Sequence, residues 1–132
     1  MKSELQKKLY KNYPKIFIQK NKSMKETAMC WGIECGDGWY WLIDNLCRQL
    51  QWDIDRNKQP QLEAVQVKEK YGSLRFYTFG SSDTQEAMIT LAEALSNEIC
   101  ETCGSTANII QTEGWIKTLC TDCYEQTKNS GL

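Results

Sequence analysis

Four cysteines near the end of the chain have the spacing of a metal site. The segment reads Cys100-Glu101-Thr102-Cys103, and after sixteen further residues Cys120-Thr121-Asp122-Cys123. Two C-x₂-C pairs at this distance are typical of a tetrahedral Cys₄ zinc site, because each pair forms a tight hook that can aim two sulfurs at one ion. Four thiolates fill the coordination shell of zinc and leave no position for a water or a substrate. We therefore predict a structural zinc ion held by Cys100, Cys103, Cys120 and Cys123.

A glycine-rich, aromatic segment is the second candidate for chemistry. It reads Cys30-Trp31-Gly32-Ile33-Glu34-Cys35-Gly36-Asp37-Gly38-Trp39, and Trp41 follows closely. Its backbone N–H groups could bind an anion at a helix start, or its glycines could simply allow a tight loop. The four aromatic residues between 31 and 41 cannot all lie on one face, so at least one is expected to line a pocket or a partner surface. The candidate ligand-binding residues here are Trp31, Gly36, Asp37, Gly38 and Trp41.

Basic and aromatic residues alternate in a third segment, at residues 68–77. Lys68, Lys70 and Arg75, interleaved with Tyr71, Phe76 and Tyr77, could hold a nucleotide by stacking and phosphate pairing, or could form an ordinary solvated strand face. The candidate ligand-binding residues here are Lys68, Lys70, Arg75 and Tyr77. The order Lys68-Glu69-Lys70 differs from the Glu-x-Lys pattern of metal-dependent nucleases. Glu34, Asp37 and Glu69 could still converge on a second metal, although no spacing requires it.

Composition excludes several functional classes. The chain contains no histidine, so Ser-His-Asp and Cys-His catalysis cannot occur within it. With 16 basic and 17 acidic residues its net charge is −1, which argues against nonspecific duplex-DNA binding. No apolar run approaches the roughly 18 residues of a spanning helix, and the first residues lack the apolar core of a signal peptide, so we expect a cytoplasmic protein without a membrane role. In that compartment Cys30, Cys35 and Cys47 are interpreted as buried apolar groups.

The elements that must position these residues indicate an α+β fold. We predict helices over 3–12, 38–54 and 83–99, the last with a capping box from Ser82 to Gln85. Strands over 62–71 and 74–79 would form a hairpin around a Gly72-Ser73 turn. Residues 100–132 would form a treble-clef-like finger packed on domain 1–99, with a second hairpin of Ile109-Ile110 and Trp115-Ile116 and a helix over 122–128. The predicted core is Trp39, Ile43, Leu46, Val65, Val67, Leu74, Phe76, Leu91 and Leu95.

As a set, three segments resemble a widespread family of small uncharacterised proteins of bacteriophages, prophages and bacteria. They are residues 29–39, residues 65–77 with Val65-Gln66-Val67-Lys68-Glu69-Lys70-Tyr71-Gly72-Ser73-Leu74-Arg75-Phe76-Tyr77, and the cysteine region with Gly114-Trp115-Ile116-Lys117-Thr118-Leu119-Cys120. Relatives often have histidine in place of Cys123, which binds zinc equally well, and many carry a longer insert near 53–61. The resemblance implies no established activity but does imply a phage setting, in which small non-enzymatic proteins commonly counter host defences.

Three hypotheses follow for function. The first is a non-catalytic, phage-type counter-defence protein in the host cytoplasm that captures a host protein or a small anionic signalling nucleotide. A nucleotide pocket would combine stacking on Trp31 or Trp41, an anion site at the amides of residues 36–38, and phosphate pairing with Lys68, Lys70 and Arg75. The second is a nucleic-acid-associated zinc finger, and the third is a metal-dependent enzyme that acts on a nucleotide through Asp37 and Glu69. The sequence leaves open whether the chain forms a homo-oligomer.

Overall fold

The computed structural model describes residues 1–129 and has a mixed α+β architecture, as predicted. Within these residues, four α-helices are formed by Ser3–Asn12 (α1), Tyr40–Arg56 (α2), Asp83–Ser96 (α3) and Thr121–Asn129 (α4). Five strands are formed by Ile33–Glu34 (β1), Glu63–Lys70 (β2), Ser73–Phe79 (β3), Ile109–Gln111 (β4) and Thr118–Cys120 (β5). Short 3₁₀-helices lie at Ile18–Asn21, Ala28–Trp31 and Asp37–Trp39. Residues 130–132, which close the predicted finger domain, lie outside the described residues.

The main sheet has the strand order β1-β2-β3, with β1 parallel and β3 antiparallel to β2. Lys70 pairs with Ser73, so the hairpin turn consists of Tyr71 and Gly72. Both residues have positive φ, of 52° and 81°, as a type I′ turn requires. The prediction of a Gly72-Ser73 turn was therefore wrong by one residue. It assumed that only glycine would adopt the left-handed conformation, but Tyr71 adopts it as well.

A β-bulge at Val65 changes which side chains of β2 enter the core. The register shifts between Ala64 and Gln66, so Ala64 and Val67 are buried whereas Val65 is only half-buried. The strict alternation that placed both Val65 and Val67 in the core was wrong for Val65.

Helix α2 has the predicted apolar face, with Leu42, Ile43, Leu46, Cys47 and Leu50 buried. Helix α3 begins at the predicted capping box, in which Ser82 and Gln85 exchange hydrogen bonds. Its orientation differs from the prediction, because Leu91 and Leu95 are 62% and 43% exposed. The inward face contains Ile89 and Ala92 together with two polar residues.

Those two polar residues explain the orientation of α3. The buried Gln85 amide donates to Asp53 Oδ2 over 3.0 Å, and Ser96 Oγ accepts from the backbone N–H of Leu74 over 2.9 Å. Glu93 accepts from the N–H of Phe76, so α3 lies along the outer edge of β3. These bonds allow Gln85 and Ser96 to be buried without cost for unsatisfied polar groups, and they turn the leucines outward.

The buried apolar residues between positions 1 and 129 form two clusters. The larger one lies between the main sheet, α1, α2 and α3, and includes Leu9, Phe17, Trp39, Ile43 and Phe76. The smaller one consists of Cys100, Leu119, Cys120 and Cys123. No helix between residues 1 and 129 combines the length and the apolar character that crossing a lipid bilayer requires.

Candidate metal centre and neighbouring surfaces

The four predicted cysteine ligands come together from three elements. Cys100 and Cys103 lie in a turn after α3, Cys120 ends β5, and Cys123 lies in the first turn of α4. Antiparallel pairing of β4 with β5 sets Cys120 opposite Ile109 and carries the second pair back to the first. The predicted second strand was displaced, because Thr118–Cys120 pairs with β4 whereas Trp115 and Ile116 lie in the connecting loop.

The geometry of the cluster suits a tetrahedral ion. All four sulfurs lie within 4.8 Å of one another, and Cys103 Sγ is 3.7 Å from Cys120 Sγ. Zinc–sulfur bonds of about 2.3 Å in tetrahedral geometry place ligand sulfurs about 3.8 Å apart. The four cysteines could therefore hold a metal ion, and their donor set and spacing are consistent with zinc.

The thiols of this cluster do not ionise alike. Burial raises the pKa of Cys100, but backbone N–H groups of Cys103, Cys120 and Thr102 outweigh it and lower the pKa to about 7. Burial, followed by the neighbouring sulfurs, raises the pKa of Cys123. One thiolate thus forms readily and opposes ionisation of the others, a repulsion that a central divalent cation would offset.

The glycine-rich segment packs directly on the turn that carries Cys100 and Cys103. The amide of Gly38 donates to the backbone oxygen of Glu101 over 2.8 Å, and the amide of Gly36 donates to Glu101 Oε2 over 2.9 Å. A Cβ on Gly38 would overlap the carbonyl oxygen of Cys100, and one on Gly36 would overlap that of Glu101. These two amides, predicted to bind an external anion, are instead hydrogen-bonded within the chain, and close backbone approach requires the glycines.

A partly buried ionic network that sequence reasoning missed joins the same turn to the main sheet. Lys117 Nζ lies 2.8 Å from Glu69 Oε1 and 3.6 Å from Glu101 Oε1. Burial alone would raise the pKa of Glu69, but hydrogen bonds from Lys117 and from the amide of Gly72 lower it. Burial opposes the charged form of Lys117, but Glu69 and Glu101 together raise its pKa. No periodicity links positions 69, 101 and 117, so the sequence carried no signal for this network.

The aromatic part of the predicted ligand site borders a cleft of about 450 Å³ beside the cysteine turn. Asp37, Gly38 and Trp41 line it, together with Tyr40 and Cys103. Asp37 accepts a hydrogen bond from the amide of Lys2 and forms an ion pair with the Lys2 ammonium group at 3.8 Å. Trp41 is 66% exposed and Trp31 61%, but Trp31 does not line this cleft.

The basic part of the predicted site lies on another surface. In the register of β2 and β3, Lys68 faces Arg75 and Gln66 faces Tyr77, so Lys68, Lys70, Arg75 and Tyr77 share the face of the sheet opposite to buried Val67 and Phe76. None of these four lines the cleft of Asp37 and Trp41. The structure thus groups the hairpin residues with one another and groups Asp37, Gly38 and Trp41 around a separate cleft.

The second metal site that the sequence left open does not form. Among residues 1–129, the four cysteines are the group in which three or more metal-ligating side chains converge, and Glu34, Asp37 and Glu69 form no such group. Glu69 is instead paired with Lys117.

The three cysteines outside the cluster, Cys30, Cys35 and Cys47, differ in burial. Cys35 and Cys47 are buried, as interpreted from the sequence, whereas Cys30 is half-buried. Burial, reinforced by the charge of Glu101, raises the pKa of Cys35 to about 12, and burial also raises that of Cys47. Both thiols are therefore protonated at neutral pH.

Comparison of the chain with protein-family models, with curated proteins and with solved structures gives no match.

Proposed function

We propose that this chain is a zinc-stabilised, non-catalytic binding protein that captures a protein partner in the groove between α2 and α3. The observation that carries the proposal is the groove itself, which has a volume of about 270 Å³ and is lined by Trp41, Leu42, Leu46, Met88, Leu91 and Leu95, among others. Three of these large apolar side chains are more than 40% exposed: Trp41, Leu91 and Leu95. Contiguous exposed apolar surface of this kind marks interaction sites in proteins.

In this proposal the metal is zinc and its role is structural. Four sulfur ligands leave no coordination position for a water or a substrate. The ion would hold the turn of Cys100 and Cys103 against Gly36 and Gly38, and so fix the start of α2, where Trp41 lies.

The arrangement of the predicted ligand residues supports a protein partner over a small nucleotide. Stacking on Trp41 and phosphate pairing with Lys68, Lys70 and Arg75 would require these groups to face one cavity, but Trp41 borders the α2–α3 groove and the cleft beside the cysteine turn. The apolar groove between α2 and α3 can accept an amphipathic helix of a partner protein. The resemblance to phage proteins suggests that this helix belongs to a host defence factor in the cytoplasm.

The test is affinity capture from host extract with a groove variant. Leu91→Asp changes a side chain that is 62% exposed, so it should leave the melting temperature nearly unchanged while placing a charge in the groove. We expect wild type to retain a host protein at fixed stoichiometry, and Leu91→Asp to lose it. The matched control is Trp31→Ala, which removes an equally exposed aromatic side chain outside the groove and should retain the protein.

Retention of the same protein by wild type and Leu91→Asp would contradict the proposal. Gel filtration of the pure chain provides the second arm, because a groove filled by another copy would give a dimer that Leu91→Asp dissociates. That result would show that a second copy of the chain, and not a host protein, occupies the groove.

A further inference from the structure

We infer that the tip of the main hairpin, together with the loop of the finger beside it, binds single-stranded nucleic acid. The site is distinct from the α2–α3 groove, and it does not depend on the partner proposed for that groove. It also differs from the nucleotide pocket predicted from the sequence, because it uses Trp115 of the finger loop and does not use Trp31 or Trp41.

Two exposed aromatic side chains from different elements border one cleft. Tyr71, in the β2–β3 turn, is 72% exposed, and Trp115, in the β4–β5 loop, is 80% exposed. They line a cleft of about 240 Å³ together with Glu69, Lys70, Gly114 and Ile116. Base–aromatic stacking needs such accessible rings, and it tolerates any base because every base has a π-face.

The loop that carries Trp115 is held in place although its tip is exposed. Thr112 Oγ1 donates to the carbonyl oxygen of Trp115 over 2.6 Å and accepts from the amide of Lys117 over 2.8 Å. On the other wall, Thr118 Oγ1 donates to the carbonyl oxygen of Gly72 over 2.6 Å and ties β5 to the hairpin turn. Both aromatic residues therefore sit on segments that are fixed relative to each other, which lowers the entropic cost of binding a base there.

Positive charge continues from the cleft along the face of the sheet. Lys70 lines the cleft, and Lys68 and Arg75 lie opposite each other on the same face of the hairpin. Tyr77, 41% exposed, and Phe79, 70% exposed, extend this face along β3. Alternate residues of a strand are about 6.8 Å apart, so cations and rings recur along the surface at regular steps.

The acidic residues near this surface oppose binding less than their number implies. Glu69 lines the cleft, but its charge is paired with Lys117. Glu34 is next to Lys68 in the parallel register, and Glu63, opposite Phe79, accepts from the Gln19 amide. Lys70 and Arg75 form no ion pair among residues 1–129 and can meet phosphate groups, whereas Glu34 offsets part of the charge of Lys68. The rings select unpaired bases over a duplex, in which the base faces are already stacked.

The experiment is a fluorescence-anisotropy titration of the zinc-loaded full chain at low salt. The probes are a fluorescein-labelled single-stranded RNA of about 12 nucleotides, within the usual range for single-strand modules, its DNA equivalent and the corresponding duplex. We expect saturable binding of at least one single strand and weaker binding of the duplex. Three phosphate contacts predict that log K falls against log salt concentration with a slope of about −2.

Three variants, with two matched controls, separate this site from a general charge effect. Trp115→Ala and Tyr71→Asn should each weaken binding about tenfold, the effect of losing one stacked base. Asparagine suits a positive φ in a type I′ turn, so Tyr71→Asn removes the ring without unfolding the hairpin. Lys70→Ala should flatten the salt slope by about 0.7. Trp52→Ala, 53% exposed on α2, and Lys8→Ala, on α1, are the matched controls and should bind like wild type.

Three results would overturn the inference. They are the lack of saturable single-strand binding at low salt, unchanged affinity in both Trp115→Ala and Tyr71→Asn, and a duplex bound as tightly as the single strands.

Discussion

Position 38 requires glycine because of the backbone that packs against it, and not because of its own backbone angles. It lies in the 3₁₀-helix Asp37–Trp39 and does not have the positive φ that usually explains a glycine. Its amide bonds to Glu101, and its Cα faces the carbonyl oxygen of Cys100. Any side chain at this position would push the cysteine turn away from the start of α2.

Gly38→Ala is therefore expected to destabilise the protein by about 2 kcal/mol, in the range found for overpacked sites, although alanine is intrinsically the better helix former. Urea denaturation in excess zinc measures the effect. Gly114→Ala is the comparison, since Gly114 has φ +74° and no atom within 4 Å of an added Cβ. It should lose only the roughly 1 kcal/mol of left-handed backbone strain. If Gly38→Ala were as stable as wild type, the close packing described for this position would be wrong.

At the scale of elements, Lys117 connects three segments that are far apart in the sequence. It is the last residue of the β4–β5 loop, pairs with Glu69 near the end of β2, and approaches Glu101 in the cysteine turn. Its side chain is 32% exposed and that of Glu69 16%, so the pair is only partly screened by water.

Lys117→Met should cost about 1 kcal/mol near neutral pH, and the cost should depend on pH. Because the pKa of Lys117 is raised in the folded state, its contribution is complete below the unfolded value of 10.5 and is lost as pH rises through the folded pKa. Because the pKa of Glu69 is lowered, its contribution is present above its unfolded value of 4.5 and is lost as pH falls through the folded pKa.

The measurement is the difference in unfolding free energy between wild type and Lys117→Met from pH 6 to pH 11. It should be constant up to about pH 10 and shrink above the unfolded lysine pKa. Lys8→Met, at an exposed position of α1, should show no such difference. A difference that persisted unchanged to pH 11 would remove the ion pair as its cause.

Elements with strong local signals were predicted correctly, whereas those decided by distant contacts were not. The Ser82–Gln85 capping box and the apolar stripe of α2 each depend on residues that are close together in the sequence, and both are confirmed. The orientation of α3 depends on Asp53 accepting from Gln85 and on Ser96 bonding to β3, which no local pattern reveals. Strand β1 has two residues, too few to show a period, and it exists because β2 lies beside it.

In the candidate site, too, the features set by neighbouring residues were predicted and those set by distant contacts were not. Spacing alone identified the four cysteines, because the C-x₂-C turn is local and zinc chemistry restricts the ligand types. The grouping of Trp31, Trp41 and the hairpin cations into one pocket required tertiary placement, and the structure separates Trp41 from the hairpin cations. Trp115 was overlooked as a binding residue, because the sequence does not show that its ring lies near Tyr71 of the hairpin.

At the scale of the molecule, the finger forms part of the packing of the main domain. Trp39, fully buried in the main core, donates its indole N–H to the carbonyl oxygen of Ile99 over 2.9 Å, next to the first cysteine. The Gln111 amide, on β4, donates to Asn97 at the end of α3 over 3.1 Å. The metal cluster and the main core should therefore unfold together.

Zinc removal should destabilise the whole chain by several kcal/mol, since the metal-binding free energy of small zinc modules contributes directly to folding. Calorimetry with and without a chelator should show one transition in both cases, at a lower temperature without zinc, and metal analysis should find one zinc per chain. Cys120→Ser should reproduce the chelator result, whereas Cys30→Ser, outside the cluster, should keep the metal. Two separate transitions, or an unchanged melting temperature in Cys120→Ser, would contradict this coupling.

The contact of α3 with the outer edge of β3 has a consequence for self-assembly. A strand edge with free N–H groups is a template on which further extended chains can add, as in amyloid. Here the donors of Leu74 and Phe76 already bond to Ser96 and Glu93. An incoming strand would first have to displace both side chains, so this edge resists fibril growth even though three of the seven residues of β3 are aromatic and favour it.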